Sequence, residues 1–126
     1  MENKATLLSK EFRSTCPIAC VLDILGDKWT LLVIRDLFLN KHRYGEFSES
    51  PERIPSNILA DRLRRLEAAG TIKQVLYQSN PPRSEYYLTS KGADLGWVLG
   101  SMRKWAERHL PGVILPETFP RPEIRD

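Results

Sequence analysis

A mainly α fold of the α+β class is predicted for these 126 residues on three observations. Apolar residues recur at helical spacing through most of the chain. After Gly70 the period changes, and two short segments rich in β-branched and aromatic residues flank Ser79-Asn80-Pro81-Pro82. The helical period then returns. The pattern is helices on either side of one hairpin.

Each element has its own signal. Pro17 suits a first helical turn, Ile18, Val21, Leu22 and Leu25 follow at helical spacing, and Gly26 ends the element. Asp27 can cap a second helix from Lys28 to about Asn40. That helix is apolar on nearly every side, so it belongs at the centre of a small core. Tyr44 and Phe47, three apart before Ser50-Pro51, mark a short helix, and Glu52-Arg53-Ile54-Pro55 a turn. The next helix runs from Ser56, a capping residue, to Ala69, and Gly70 can close it in a left-handed turn. Its stripe is Leu59, Leu63 and Leu66; Arg62 lies near the stripe and suits packing or a salt bridge. Strands are read at Ile72–Gln78 and Arg83–Thr89, joined by a stiff turn. Thr89 or Ser90 can cap a last helix reaching about Leu110, with Leu95, Val98, Leu99, Met102, Trp105 and Ala106 on one face. This order is that of a winged helix-turn-helix with added N- and C-terminal helices.

The chain is long enough for one domain with a real core and too short for two. We divide it into an arm (1–14), a body (15–110) and a Pro-rich tail (111–126). That tail is not helical, yet Val113, Ile114, Leu115 and Phe119 suggest that it packs on something. A net charge of +3 permits a polyanionic partner without requiring one. Local placement says more: Arg53, Arg62, Arg64 and Arg65 are balanced only by Asp61 within their stretch, and Lys28, Arg35, Lys41 and Arg43 only by Asp36. The most apolar run, 29–39, is broken by Arg35 and Asp36 and is far shorter than the roughly 20 residues of a membrane span. The N-terminus mixes charges of both signs, unlike a signal peptide. A cytoplasmic location is expected, with no membrane partner and with Cys16 and Cys20 reduced.

Several blocks together resemble one family. Cys16-Pro17-Ile18 and Leu22-Asp23-Ile24-Leu25-Gly26-Asp27-Lys28-Trp29-Thr30-Leu31-Leu32 are similar to the opening of HxlR-type transcriptional regulators, winged-helix proteins of the MarR-like group. Arg43-Tyr44-Gly45-Glu46-Phe47, then Arg62 to Gly70, then Pro81 to Thr89 with Gly92, continue the likeness in order over about residues 15–110. The resemblance implies a homodimer held by the first and last helices, with one recognition helix per subunit in the major groove and one wing toward the minor groove. It also implies, for some members, a response to oxidants or electrophiles through a cysteine near the N-terminus. Many members carry a hydroxyl residue and an amide where this chain has Ala60 and Asp61, so their operators do not transfer.

The recognition helix supplies the base-edge candidates Ser56, Asn57, Ala60, Asp61 and Arg64: Ala60 offers a methyl contact, and Asp61 can accept from cytosine. Arg65 suits phosphate. Arg83 reads either as a contact to phosphate or the minor groove, or as a surface arginine paired with Glu85. Lys28 and Thr30, at a helix start, and Arg43 divide between phosphate contact and solvated surface. Cys16, beside a helix N-terminus that favours thiolate, is the candidate redox switch, with a buried inert thiol as its alternative. Gly92, Gly96 and Gly100 are four apart on the last helix, where each glycine costs about 1 kcal/mol against alanine. Close approach of a second helix would explain them, so Leu95, Gly96, Leu99, Gly100, Met102 and Trp105 are the expected dimer seam; the alternative is that Gly92 is a helix-start residue and the other two are tolerated. No phosphate loop, nucleophile–base pair or ligand-spaced histidine is present, so no enzyme, cofactor or metal site is expected. The expected function is sequence-specific DNA binding as a homodimer on a near-palindromic operator, with an effector the sequence does not name. The alternative is a winged-helix module for protein–protein contact.

Overall fold

Leu59, Leu63 and Leu66, each at most 1% exposed, sit at the centre of the core. The computed structural model describes residues 12–114 and 121–126. In chain order these form α1 (Pro17–Leu25), α2 (Thr30–Phe38), α3 (Tyr44–Ser48), α4 (Ser56–Ala68), β1 (Ile72–Ser79), β2 (Pro82–Leu88), α5 (Ser90–Ala93) and α6 (Gly96–His109). The fold is α+β and mainly α, as the periodicity predicts.

α2 is the wall against which the others pack. Its Val33, Ile34, Leu37 and Phe38 are buried with Phe47 of α3, the leucine stripe of α4, Ile72 of β1 and Leu88 of β2. The helix starts two residues later than predicted, since its first i→i−4 bond runs from Val33 N–H to Trp29 O; the Asp27 carboxylate still caps this end, accepting from the backbone N–H of Trp29 at 3.0 Å and of Thr30 at 3.2 Å. These bonds satisfy donors that a helix start leaves open. Asn40, at φ 61, closes the segment two residues after Phe38. α3 is held by Glu46, whose side chain accepts from the N–H groups of His42 and Arg43.

α4 ends as its sequence predicts and begins differently. Gly70 adopts φ 76, its N–H donates to Glu67 O, and the Thr71 N–H donates to Leu66 O. This pairing satisfies the last carbonyls through a left-handed residue. Ser56, however, is the first helical residue rather than the cap. Pro55 occupies the cap position, and no side chain bonds the helix start.

β1 and β2 pair antiparallel, with Ile72 opposite Leu88 and Ser79 opposite Pro82, and a bulge at Tyr77. The outer edge of β2 is also covered. Tyr86 N–H donates to His42 O, and Arg125 N–H donates to Leu88 O beside a parallel bridge between Leu88 and Ile124. Residues 121–126 therefore lie along the hairpin. Asp126 accepts from Ser90 N–H at 2.6 Å, and Arg125 stacks over Tyr87 at 4.1 Å. Val113 and Ile114 are exposed; Leu115 and Phe119 lie outside the described residues, as do the first eleven of the arm.

The predicted single last helix is two. Thr89 caps α5 by accepting from Gly92 N–H at 3.1 Å, and the chain turns at Asp94-Leu95 before α6. Within α5, Gly92 sits so close to β1's entry that a Cβ there would lie 1.9 Å from the Thr71 carbonyl oxygen. The backbone is pressed against that carbonyl, and the turn then brings Leu95 and Leu99 onto the core. Among the described residues no helix is long and apolar enough to cross a membrane.

Candidate nucleic-acid interface

The face of α4 opposite its leucine stripe carries Ser56, Asn57, Arg64 and Arg65, all exposed, with Ala60 and Asp61 half-buried between them. Arg62 belongs to neither face. Its Nε donates to Asp27 Oδ2 at 2.8 Å, and its side chain is only 18% exposed. One carboxylate thus caps α2 and grips α4. Burial would push the Asp27 carboxyl up, but hydrogen bonds from Thr30, Arg62 and the Trp29 N–H outweigh it and hold the group down at about 2.

Asp61 is the anionic centre of the outer face. It accepts from Arg64 Nη2 at 3.0 Å and from Arg62 Nη1, and lies 3.8 Å from Arg65 Nη1. The Arg64 hydrogen bond, with Arg62 beside it, keeps the Asp61 carboxyl below its ordinary range.

The hairpin brings the second cationic group. Arg83 stands exposed near its tip, opposite Gln78, and has no ionic partner among the described residues. Glu85 is paired instead with Arg43, whose Nε lies 3.0 Å from its carboxylate and whose guanidinium stacks on Tyr77 at 3.9 Å. That hydrogen bond raises the Arg43 pKa. Gln74 ties the hairpin to α4, its N–H donating to Glu67 and its amide to Ser84. An open cleft of about 630 Å³ separates α3 from the hairpin, with Arg43, Arg83, Glu46 and Glu49 on its rim. Charge there is balanced, so the cleft by itself is no anion trap.

The structure corrects the sequence reading at several positions. Thr30 is 2% exposed, its N–H is taken by Asp27, and its hydroxyl also bonds Asp27. It is a core residue, not a phosphate seat. Lys28 is exposed, with its ammonium 5.1 Å over the Trp29 ring. Cys16 is exposed on this chain at the start of α1, not buried in its core. Cys20, one turn on, is the buried one and lies 3.2 Å from Ser14 O. Leu95 and Leu99 pack on this chain's own core, and a Cβ on Gly96 would meet the Phe38 ring at 3.1 Å. Their packing is intramolecular. Gly100, by contrast, has open space, and Met102 and Trp105 are exposed. Sequence reasoning missed Trp97, 73% exposed on α6, and the partner of Arg62. An acidic cap two helices upstream of a half-apolar arginine was the available signal.

Known proteins share both the sequence pattern and the shape. The HxlR-like helix-turn-helix family profile matches residues 24–113. An uncharacterized HTH-type transcriptional regulator of Synechocystis sp., sll1512, is 39% identical over 97 residues, 74% of this chain and 72% of its own length. The solved structure of PA1607, a candidate transcription factor, superposes with a TM-score of 0.71 at 35% identity, over 90% of this chain and 82% of that one. The redox regulator HypR, solved in its oxidized form, does so with a TM-score of 0.65 at 32% identity, over 75% and 97%. Since the matched span runs from the end of α1 to just past α6, and so includes both the helix-turn-helix and its hairpin, the chain belongs to the HxlR-like helix-turn-helix family of transcriptional regulators.

Proposed function

We propose that this chain is a sequence-specific DNA-binding regulator that works in the cytoplasm as a homodimer on a near-palindromic operator. The observation that carries this reading is the outer face of α4, where Asn57 and Arg64 are exposed and free of the core while Leu59, Leu63 and Leu66 anchor the helix behind them. Ser56, Ala60 and Asp61 complete the face offered to base edges in the major groove. Arg65, Arg83, Lys28 and Arg43 are assigned to the backbone, Arg43 from within its pair with Glu85. Dimer contact is assigned to the outer faces of α1 and α6, where Ile18, Leu22, Trp97, Met102 and Trp105 are all more than half exposed. Apolar side chains of that size in such number mark an interface. The exposed Cys16 at the helix start, together with a structural relative named as a redox regulator, supports oxidation of this thiol as a signal.

Selection of bound duplexes from a random library, with and without oxidant, tests the reading. A recovered consensus is expected to bind wild type far better than Asn57→Ala or Arg64→Ala. Equal, weak binding of all three proteins to any duplex would reject it. Loss of the preference on oxidation, retained in Cys16→Ser, is expected for the switch.

A further inference from the structure

The reading face of α4 contains its own anion. Arg62 is held to the scaffold by Asp27 through its Nε and reaches Asp61 through its Nη1, so it tethers that carboxylate without leaving the core. Arg64 and Arg65 are different. Their side chains are 74% and 50% exposed, and among the described residues their one ionic partner is Asp61. Exposed ion pairs of this kind contribute little to stability. The helix does not depend on them, because the leucine stripe and the Gly70 termination already hold it.

Their consequence lies in binding. A phosphate that reaches Arg64 or Arg65 either competes with the Asp61 carboxylate or brings its own negative charge beside it. A base pair is not penalised in this way. A guanine edge can take Arg64, and a cytosine amino group can replace the arginines as the donor to Asp61. Resting on the DNA-binding reading above, we propose that Asp61 is an internal counter-anion that withholds Arg64 and Arg65 from the phosphates of arbitrary DNA and releases them at a site presenting a cytosine amino group to its carboxylate. Discrimination then comes from weakened binding everywhere else as much as from a new contact at the operator.

The test uses the full chain and two duplexes: one recovered by wild type from a random library, and the same duplex scrambled. Affinity is measured by fluorescence anisotropy over a range of salt. Asp61→Asn keeps the side-chain shape and removes the charge. It should bind the scrambled duplex about fivefold more tightly near physiological salt, with a log–log salt slope steeper by about one, as one more phosphate is neutralised. Its gain on the recovered duplex should be smaller, so discrimination falls. Asp61→Glu should behave as wild type on the scrambled duplex. Adding Arg64→Ala to Asp61→Asn should cancel much of the gain. An Asp61→Asn protein with wild-type melting temperature, scrambled-duplex affinity and salt slope would overturn the inference while leaving the DNA-binding reading intact. A wild type that does not distinguish the two duplexes would overturn that reading as well.

Discussion

Asp27 and Arg62 are joined at 2.8 Å between Oδ2 and Nε, across 35 residues of chain. The pair fixes α4 against the first turn of the core helix α2. Since the carboxyl is held at about 2 against an ordinary 3.8, its contribution to stability is fully present above about pH 4 and is lost as pH falls toward 2. We expect Asp27→Asn to lower stability at neutral pH by about 2 kcal/mol and to flatten the acid limb of the unfolding curve. Urea titrations at a series of pH values measure both. An unchanged acid limb in the variant would show that another carboxyl governs it.

Gly92 and Gly100 lie on the same stretch of sequence and should respond oppositely. Gly92→Ala drives a Cβ into the Thr71 carbonyl, a backbone atom that cannot move aside. A loss of about 2–3 kcal/mol is expected, a fall of roughly 10 °C in Tm. Gly100 has open space in its own chain, so Gly100→Leu should keep the monomer folded while obstructing the seam proposed for α6. Calorimetry and solution mass read the two effects separately.

Charge placed on the outer face of α6 tests that seam directly. Trp105 is 59% exposed and Leu22 of α1 is 53% exposed, so a glutamate at either position costs the folded monomer little. Trp105→Glu and Leu22→Glu are each expected to halve the mass in solution at micromolar concentration. A wild-type mass in both variants would move the seam elsewhere.

The segment 121–126 should act as a clasp on the hairpin. Asp126 accepts from the Ser90 N–H and hydroxyl, and Lys73 reaches the Asp126 carbonyl at 2.8 Å. Asp126→Ala is expected to speed amide hydrogen exchange at Leu88 to Lys91 several-fold while leaving α2 and α4 protected. Exchange unchanged at those amides would mean that the clasp adds nothing to local order.

Much of this arrangement was legible in the chain. The spacing of Leu59, Leu63 and Leu66 gave the buried face of α4, and Gly70 its stop, because both signals are local. The exposed positions of Asn57, Arg64 and Arg83 followed from the same helical and hairpin periods. What was not legible depended on distant partners. By sequence Thr30 is a helix-start residue open to solvent; in the fold its hydroxyl is taken by Asp27. Leu95, Gly96 and Leu99 looked like a seam because periodicity reports that a face is apolar, not whether its cover comes from the same chain. The turn at Asp94-Leu95 and the close approach of Gly92 to Thr71 are tertiary features, which no pattern within the helix encodes. The hold of Ile124 on Leu88 joins residues far apart in sequence and carries no periodic trace.

On the DNA-binding reading proposed above, the division of labour along α4 also says how the protein can be retargeted. Leu59, Arg62, Leu63 and Leu66 are bound to partners elsewhere in the fold, so they behave as fixed grammar. Asn57, Ala60 and Arg64 have no such obligations to the core, and Asp61 touches it only through Arg62 Nη1, so these four are the replaceable words. A transplant of specificity between relatives should therefore exchange those four side chains and leave the intervening ones, together with Asp27, in place. A graft of the whole helix that altered position 62 without altering position 27 would leave a half-buried carboxylate without its guanidinium, and would lose the scaffold before it gained a new operator.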